Sequence, residues 1–240
     1  ADDISEELIQ RISGCRVLIV DDNEINVEVA CGVLNTLPVE LEKAYNGKQA
    51  IDMLQSSARE GKAINCVLMD CQMPVLDGYQ TSEQIRAGVA GSEFTNIPII
   101  AMTANAMMGE REKCLTAGMS DYISKPINPD EALEKVLHWG LSNYDNHSQP
   151  QTGEQLSHTQ DSEQPLWDRN AALSRLLNKE VLLNKICRLF IKTAPQKLAQ
   201  LHQSLNDENH EQVRQVAHSL KGLCGEISAT RLHQLLAEVE

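Results

Sequence analysis

Aromatic side chains are scarce in this chain, and several common functional signals are missing altogether. Phenylalanine, tyrosine and tryptophan make up 3% of the 240 residues, so the core must be built from Leu, Ile, Val, Ala and Met. No run of about 18 apolar residues and no signal-peptide pattern occurs, which argues against a membrane span or a secretory leader in this segment. The sequence also has no Walker loop and no kinase glycine box, so we predict no ATP site.

The cysteines and the charge balance further limit the kinds of site and partner that the chain can have. The seven cysteines include no CxxC pair, which favours buried reduced thiols over a zinc site or a disulfide framework. Acidic residues outnumber basic ones by 34 to 21, giving a net charge of -13. This charge disfavours nucleic acid and anionic membranes as partners, and it suits protein partners or a bound divalent cation. We therefore expect a cytoplasmic location. Because the chain begins with Ala1, we interpret it as a piece of a longer protein.

The first half of the chain alternates short apolar runs with amphipathic segments. Apolar runs that are rich in β-branched residues and bounded by turn residues are typical of strands buried on both faces. Strands that alternate with helices predict an α/β fold with a doubly wound, five-stranded parallel sheet, over residues 13–140, after a lead-in at 1–12. The predicted strands are 16–20, 39–45, 66–69, 97–102 and 122–124, and the predicted helices are 24–36, 47–58, 79–88, 105–118 and 129–139.

The second half has a different character. Residues 141–165 are polar and almost free of aliphatic side chains, which predicts a flexible linker. Residues 166–240 show only helical periodicity, so we predict an all-α bundle. A break is predicted at Pro195, because the residue before a proline disfavours the helical region. The predicted helices are 168–178, 179–193, 195–206, 208–225 and 228–240.

Polar residues follow the predicted strands of the first half at their carboxyl ends. Asp21 and Asp22 follow the first strand, Asp70 the third, Thr103 the fourth and Lys125 the fifth. Ligands of doubly wound sheets bind beyond these ends, so the side chains should converge at one edge. Clustered carboxylates favour a hard cation such as Mg²⁺, and an ionised aspartate can attack phosphorus to give an acyl phosphate. A lysine and a hydroxyl would stabilise the transferring group.

Each of these residues also has a plain structural interpretation. Asp21, Asp22 and Asn23 suit the N-terminus of a helix, where side-chain oxygens cap backbone N–H groups. Asp70 could simply begin a loop, and Lys125 before a proline means nothing alone. The coincidence of all of them at strand ends favours the phosphoryl site.

The first half resembles response-regulator receiver domains over its whole length. The matching segments are VLIVDDNEIN at 17–26, VLMDCQMPVLDG at 67–78, IPIIAMTANAM at 97–107 and DYISKPI at 121–127. The resemblance implies a flavodoxin-like fold, with Asp70 as the phosphorylated residue. It further implies Asp21, Asp22 and the backbone carbonyl of Gln72 as Mg²⁺ ligands with Asp70, Thr103 as the switch hydroxyl, Lys125 as the phosphate-contacting lysine and Tyr122 as the switch aromatic. The segment is most similar to receivers carried within hybrid sensor kinases.

One histidine of the second half lies on a helix with a distinct polar face. The apolar residues of segment 213–227 repeat at helical spacing, and His218 lies nearly opposite the centre of their face, so we expect it to face solvent. Gly222 and Gly225 fall on the same side and would let another protein's active site come close. An imidazole nitrogen can attack an acyl phosphate, and Lys221 could steady the phosphoryl group. We interpret His233, like the other histidines, as a solvated surface residue.

The segment AHSLKG at 217–222 resembles the signature of histidine phosphotransfer (HPt) domains. The resemblance covers residues 166–240 and implies that His218 accepts a phosphoryl group, that Lys221 supports it and that Gly222 admits the partner. The family's four-helix bundle needs one more helix than we predict before residue 240. We therefore expect a truncated HPt domain with its last helix missing, or a neighbouring copy that fills the gap.

These resemblances imply the C-terminal part of a hybrid sensor histidine kinase whose membrane anchor and ATP-binding kinase domain lie elsewhere. The expected function is a phosphorelay from an upstream phosphohistidine to Asp70, then to His218, then to a separate response regulator. A linker of this length spans roughly 25–30 Å as a flexible coil, which permits transfer within one chain. Two alternatives stay open: an aspartate-nucleophile phosphohydrolase, although Asp21-Asp22-Asn23 lacks its usual spacing, and an interaction module that is never phosphorylated.

Overall fold

A computed structural model describes residues 6–104, 108–141 and 167–239, and it divides them into a sheet-containing half and a helical half. The predicted linker at 141–165 lies almost wholly outside the described residues. The strands are β1 Arg16–Val20, β2 Glu40–Ala44, β3 Cys66–Asp70, β4 Ile99–Thr103 and β5 Asp121–Ser124. The helices are α1 Glu6–Ile12, α2 Glu24–Leu34, α3 Gly47–Arg59, α4 Gly78–Arg86, α5 Met108–Thr116, α6 Pro129–Leu141, α7 Arg169–Arg175, α8 Glu180–Asn206, α9 His210–Glu226 and α10 Thr230–Val239, with a 3₁₀ turn at Ser92–Phe94.

The five strands form one parallel sheet in the order β2-β1-β3-β4-β5, which confirms the predicted fold class. Successive side chains of a strand point to opposite faces, and both faces are apolar here. Val17 and Ile19 of β1 pack with α2 and α6 on one face, whereas Leu18 and Val20 pack with α3 and α4 on the other. The strand order reverses at β1, so the carboxyl ends of β1 and β3 border the crevice where such sheets bind ligands.

Side-chain caps set the starts of the helices next to this crevice. The Asn23 side chain accepts a hydrogen bond from the Ile25 N–H at 3.0 Å and begins α2. The Asp77 side chain accepts one from the Gln80 N–H at 2.8 Å and begins α4. Gly78 follows because a Cβ there would overlap the backbone carbonyl oxygen of Asp70. The loop between β3 and α4 can therefore fold back against the end of β3 only with glycine at this position.

An N-terminal helix that the sequence analysis did not predict completes the first half. Helix α1 packs against α6, and its last residue, Ile12, is fully buried in the core on that face of the sheet. Gly140 of α6 lies beneath Ile12, and a Cβ built on it would meet the Ile12 side chain at 3.4 Å. The core of the receiver half therefore extends into the segment taken as a lead-in.

Helix α8 is continuous, and the predicted break at Pro195 is wrong. Proline removes the hydrogen bond to the carbonyl of residue 191, four positions earlier. The Ile191 side chain is 72% exposed, so water can reach that carbonyl. Burial of Leu183, Ile186 and Ala194 along the same helix favours a continuous rod, and this packing outweighs the local preference before proline.

Uncovered apolar side chains recur along α8. Ile191, Leu198 and Leu205 are spaced seven residues apart, and each is exposed. Leu235 of α10 is exposed as well. That a further helix is missing from this bundle stays a prediction.

Helix α2 is buried between the two halves. Val27 and Val33 pack on the sheet, whereas Ile25 and Val29 belong to a separate core with α7, α8, α9 and α10. The helical half thus shares its core with one helix of the other half. Within the described residues, no helix is long and apolar enough to cross a membrane.

Candidate functional site

Three carboxylates meet at the carboxyl edge of the sheet, as the sequence predicts. Asp21 and Asp22 follow β1, and Asp70 is the last residue of β3. One oxygen from each lies within 4.8 Å of the others. Asp21 is fully buried and Asp70 is 3% exposed, whereas Asp22 is half-buried. Like charges held this close repel one another, so the site requires cations.

Lys125 supplies the first cation. Its Nζ lies 2.7 Å from Asp21 Oδ2 and 2.8 Å from Asp70 Oδ1. Burial alone would lower the pKa of Lys125, but the two carboxylates outweigh it and the pKa is raised. Burial raises the pKa of Asp70 to about 7; Lys125 opposes this shift, and Asp21 adds to it. Because one lysine does not offset three carboxylates, the cluster suits a divalent cation as well.

Three further residues that the family resemblance assigns to the site are Thr103, Gln72 and Tyr122. Thr103 ends β4 and is 3% exposed, and its carbonyl oxygen accepts a hydrogen bond from the Lys125 N–H at 2.7 Å. Gln72 is exposed and lines the same cavity as Asp70. Tyr122 lies on β5 outside that lining, with Lys135 Nζ 4.9 Å from its ring centre.

His218 lies on α9, and the prediction that it faces solvent is wrong. The apolar face is as predicted, with Ala217 and Leu220 buried in the helical core. The opposite face is turned toward the sheet half, and His218 is half-buried. The glycine-lined face therefore lies against the acidic edge of the same chain.

Asp70 and His218 line one cavity of about 490 Å³. Asp22, Lys125 and Lys221 line it too, so both halves contribute to its walls. Burial and Asp21 raise the pKa of Asp22, while Lys197, Lys125 and His218 oppose the shift. The cavity is thus lined by an acidic cluster from one half and an imidazole from the other, with lysines from both halves.

Lys197 is a lining residue that the sequence analysis missed. It extends from α8, and its Nζ donates to Ser219 Oγ at 2.6 Å, next to His218. No sequence signal identifies it, because its position depends on how α8 packs against α9.

Asn26 was also missed, and it connects the acidic cluster to α9. Its Nδ2 donates to both oxygens of Asp21, at 3.0 and 3.1 Å. A Cβ built on Gly222 would lie 3.7 Å from the same nitrogen.

Gly225 lies beside His233, which lines the cavity and is half-buried, so the interpretation of His233 as a solvated residue is wrong. The glycines bring α9 close to the acidic edge.

Glu226 is an acidic side chain buried where the two halves meet. It is 2% exposed, its Oε1 accepts from the Ile127 N–H at 3.5 Å, and its Oε2 has no hydrogen-bond partner. Burial raises the pKa of Glu226 to about 7. Lys125, the Ile127 N–H and Arg175 oppose the shift, and Asp21 adds to it. Glu226 is therefore protonated in the folded chain under conditions that ionise an exposed glutamate.

This burial predicts a pH-dependent stability. The folded-state pKa of Glu226 lies above its ordinary value of 4.5, so folding loses stability as pH rises from about 4.5 to about 7. Glu226→Gln, which mimics the protonated form, should raise the melting temperature relative to wild type by a few degrees more at pH 8 than at pH 5.5. Calorimetry at both pH values measures this. Glu238→Gln, at an exposed position on α10, is the control. An equal effect of Glu226→Gln at both pH values would contradict the prediction.

Two family models match the chain in the same order as its two halves. The model described as the response regulator receiver domain matches residues 17–137. The model described as the Hpt domain matches residues 185–240. The first covers the sheet with its acidic edge, and the second covers α9 with His218.

One curated relative aligns with nearly the whole chain, and another aligns with about half of it. The signal transduction histidine-protein kinase BarA of Escherichia coli K12 is 29% identical over 228 residues, covering 93% of this chain and 23% of BarA. Sensor protein GacS of Pseudomonas syringae pv. syringae is 39% identical over 124 residues, covering 52% of this chain and 13% of GacS. The chain thus spans less than a quarter of either relative.

Among solved structures, the receiver domain of sensor histidine kinase PA1611 from Pseudomonas aeruginosa PAO1, with a magnesium ion in its active site cleft, is 38% identical. It has a TM-score of 0.46 and covers 53% of this chain and 98% of its own. The fold, the acidic edge and the two family matches lead to one assignment. The chain belongs to the response-regulator receiver family and joins its receiver to an Hpt domain, the pair of phosphorelay modules found in hybrid sensor histidine kinases.

Proposed function

We propose that Asp70 accepts a phosphoryl group from an upstream phosphohistidine and passes it to His218 of the same chain. His218 then donates it to an aspartate of a separate response regulator. The observation that carries this proposal is the cavity of about 490 Å³ that Asp70 of one half and His218 of the other both line.

In the first step, an Asp70 carboxylate oxygen attacks phosphorus, and the bond from phosphorus to the donor nitrogen breaks. The donor histidine leaves as imidazole, and Asp70 becomes an acyl phosphate. Lys125 Nζ, 2.8 Å from Asp70 Oδ1, stabilises the charge that develops on the transferring group. Thr103 lies at the end of the adjacent strand, where its hydroxyl can donate to a phosphoryl oxygen.

The acidic cluster fits a magnesium ion. Asp21, Asp22 and Asp70 offer oxygens within 4.8 Å of one another, and the half-buried Asp22 leaves the cluster open to the cavity. We propose that these three residues and the carbonyl of Gln72 hold Mg²⁺. When bound, the ion neutralises charge on phosphoryl oxygens. The protein residues position the acceptor and keep Lys125 within reach of it.

In the second step, an imidazole nitrogen of His218 attacks the phosphorus atom, and the Asp70 carboxylate leaves. Lys221 and Lys197 line the cavity beside His218 and would contact the phosphoryl group during transfer. Attack by the neutral imidazole leaves a positive charge on the ring, which is lost when the N–H proton passes to solvent. The docked receiver also covers His218, so the two domains must separate before a downstream regulator can reach it.

The partners and location follow from the same proposal. We propose an upstream histidine kinase domain of the same polypeptide as donor and a response regulator as final acceptor, with no nucleic acid involved. We also propose a cytoplasmic location, which the seven free cysteines support. The proposed domains are residues 13–140 for the receiver and 166–240 for the HPt domain.

The test follows a labelled phosphoryl group through the wild-type chain. Incubation with Mg²⁺ and labelled acetyl phosphate should label Asp70 first and His218 later, and chelation of Mg²⁺ should abolish both. Treatment with alkali distinguishes the two residues, because the acyl phosphate is hydrolysed and phosphohistidine survives. Steady release of inorganic phosphate without either adduct would favour a phosphohydrolase. The absence of any adduct with Mg²⁺ present would leave a non-phosphorylated interaction module.

A further inference from the structure

A glycine lies in the middle of α2, the helix buried between the domains. Gly32 is followed by Val33 and Leu34, and α2 continues through them without a break. Glycine destabilises a helix interior relative to alanine, because its backbone loses more conformational freedom on folding. Gly32 therefore lowers the stability of a helix of the receiver core, and a contact made at this position should offset the loss.

The contact is a leucine from the HPt domain. A Cβ built on Gly32 would overlap Cδ2 of Leu182, and Leu182 Cγ would lie 3.2 Å away. Leu182, near the start of α8, is partly buried in the core that the HPt domain shares with α2. One turn earlier in the chain, Lys179 Nζ donates to the backbone carbonyl of Gly32 at 2.7 Å. The backbone of Gly32 thus contacts both an apolar side chain, Leu182, and an ammonium group, Lys179, from the same segment of the HPt domain.

An ion pair next to this contact fixes its orientation. Glu28 lies one turn before Gly32 on the same helix, and its Oε2 is 2.6 Å from Lys185 Nζ of α8. Its Oε1 is 2.8 Å from Lys43 Nζ of the receiver. Ion pairs this exposed contribute little to the free energy of folding. Lys43 nevertheless holds the Glu28 carboxylate in place, so that it offers Lys185 of the HPt domain a defined hydrogen-bond acceptor.

Gly32 has no role in the site itself. It does not line the cavity shared by Asp70 and His218. Its neighbours Cys31 and Val33 belong to the core beneath the sheet, whereas the position of the missing side chain points at Leu182. The glycine therefore serves contact with the HPt domain and neither catalysis nor the receiver core.

We propose that Gly32 and Leu182 form a notch and a knob by which this receiver selects its own HPt domain. The proposal rests on the proposed transfer from Asp70 to His218, and it names a specificity-determining pair for that step. An HPt domain with a larger residue at the position of Leu182, or a receiver with a side chain at the position of Gly32, would not seat in this geometry.

The test is Gly32→Gln in the full chain. Glutamine favours the helix more than glycine does, so α2 should stay folded while its side chain fills the notch. Acetyl phosphate should label Asp70 within twofold of the wild-type rate, but transfer to His218 should slow by at least about tenfold. Leu182→Ala alone should slow transfer less, because it empties the notch without blocking it. Gly32→Gln combined with Leu182→Ala should transfer at the rate of Leu182→Ala, which is a non-additive result.

Gly140→Ala is the matched control, because it also adds a side chain to a helical glycine of the receiver but meets only Ile12. It should change neither rate. Unaltered transfer in Gly32→Gln would overturn the proposal, and so would failure of Leu182→Ala to relieve the block. Slower labelling of Asp70 in Gly32→Gln would also overturn it, because the glycine would then serve the receiver. Absence of labelling in the wild-type chain would instead refute the proposed function.

Discussion

Asp70→Asn is expected to abolish phosphorylation of the whole chain by acetyl phosphate, at His218 as well as at position 70. The amide cannot act as the attacking carboxylate, and in the proposed order His218 receives its phosphoryl group only from Asp70. Asparagine keeps the size of the side chain and removes one negative charge from a buried cluster, so the fold should persist. Intact-mass measurement after incubation with Mg²⁺ should show one phosphoryl adduct or two in wild type and none in the variant.

The control for this result is Asp52→Asn, which removes a carboxylate from an exposed position on α3. It should be phosphorylated like wild type. A His218 adduct in Asp70→Asn would show that the histidine is charged directly by the donor. The order of the relay would then be wrong, even if both residues accept phosphate.

His218→Gln is expected to leave Asp70 phosphorylated and to remove all alkali-stable phosphate, the form that phosphohistidine gives. Glutamine is close to histidine in size but has no nucleophilic nitrogen, so the acyl phosphate on Asp70 has no acceptor. Transfer to an added response regulator should fall below detection, a loss of at least about 100-fold that corresponds to ~2.7 kcal/mol. Separation of alkali-labile from alkali-stable phosphate on the same sample measures the loss of phosphohistidine and the retention of phosphorylated Asp70.

His202→Gln, at an exposed position on α8, is the matched control and should retain both forms of phosphate. Persistence of alkali-stable phosphate in His218→Gln would place the acceptor on another histidine. Of the other described histidines, His233 is the one that lines the cavity with Asp70, and it would be the next to replace.

The sequence predicts the acidic edge well because each strand, and the polar residue at its end, can be recognised from neighbouring residues alone. Apolar runs define the strands, and the ends of those runs fix where Asp21, Asp70 and Lys125 must lie in a parallel sheet. The structure brings both carboxylates within hydrogen-bonding distance of the Lys125 ammonium group. The roles of Thr103 and Tyr122 come from the family resemblance and stay predictions.

The contact between the domains was not predicted because it joins residues that are distant in sequence. Leu182 fills the space above Gly32, about 150 positions earlier, and no local pattern reports such a pair. A signal does exist in α2, whose residues 25–34 are apolar nearly all round the helix apart from Asn26 and Glu28. Such a helix is typically buried on more than one side. This pattern, combined with a glycine in the helix interior, would have indicated a second packing partner.

The solvent-facing assignment of His218 failed for the same reason. Helical periodicity locates the polar face of α9 correctly, but periodicity cannot distinguish a face that meets water from a face that meets another polar site. The receiver covers His218 and leaves it half-buried. The predicted break at Pro195 was wrong for a different reason. The residue before a proline does disfavour the helical conformation, but the tertiary packing of α8 outweighs that preference.

The most direct test of the account compares transfer within one chain with transfer between chains. Labelling of His218 is followed in the wild-type chain and in an equimolar mixture of Asp70→Asn and His218→Gln chains, over a dilution series. The docked structure predicts a wild-type rate that does not change on dilution, whereas the rate in the mixture falls in proportion to concentration. A wild-type rate that falls on dilution as the mixture does would contradict transfer across the cavity that Asp70 and His218 share.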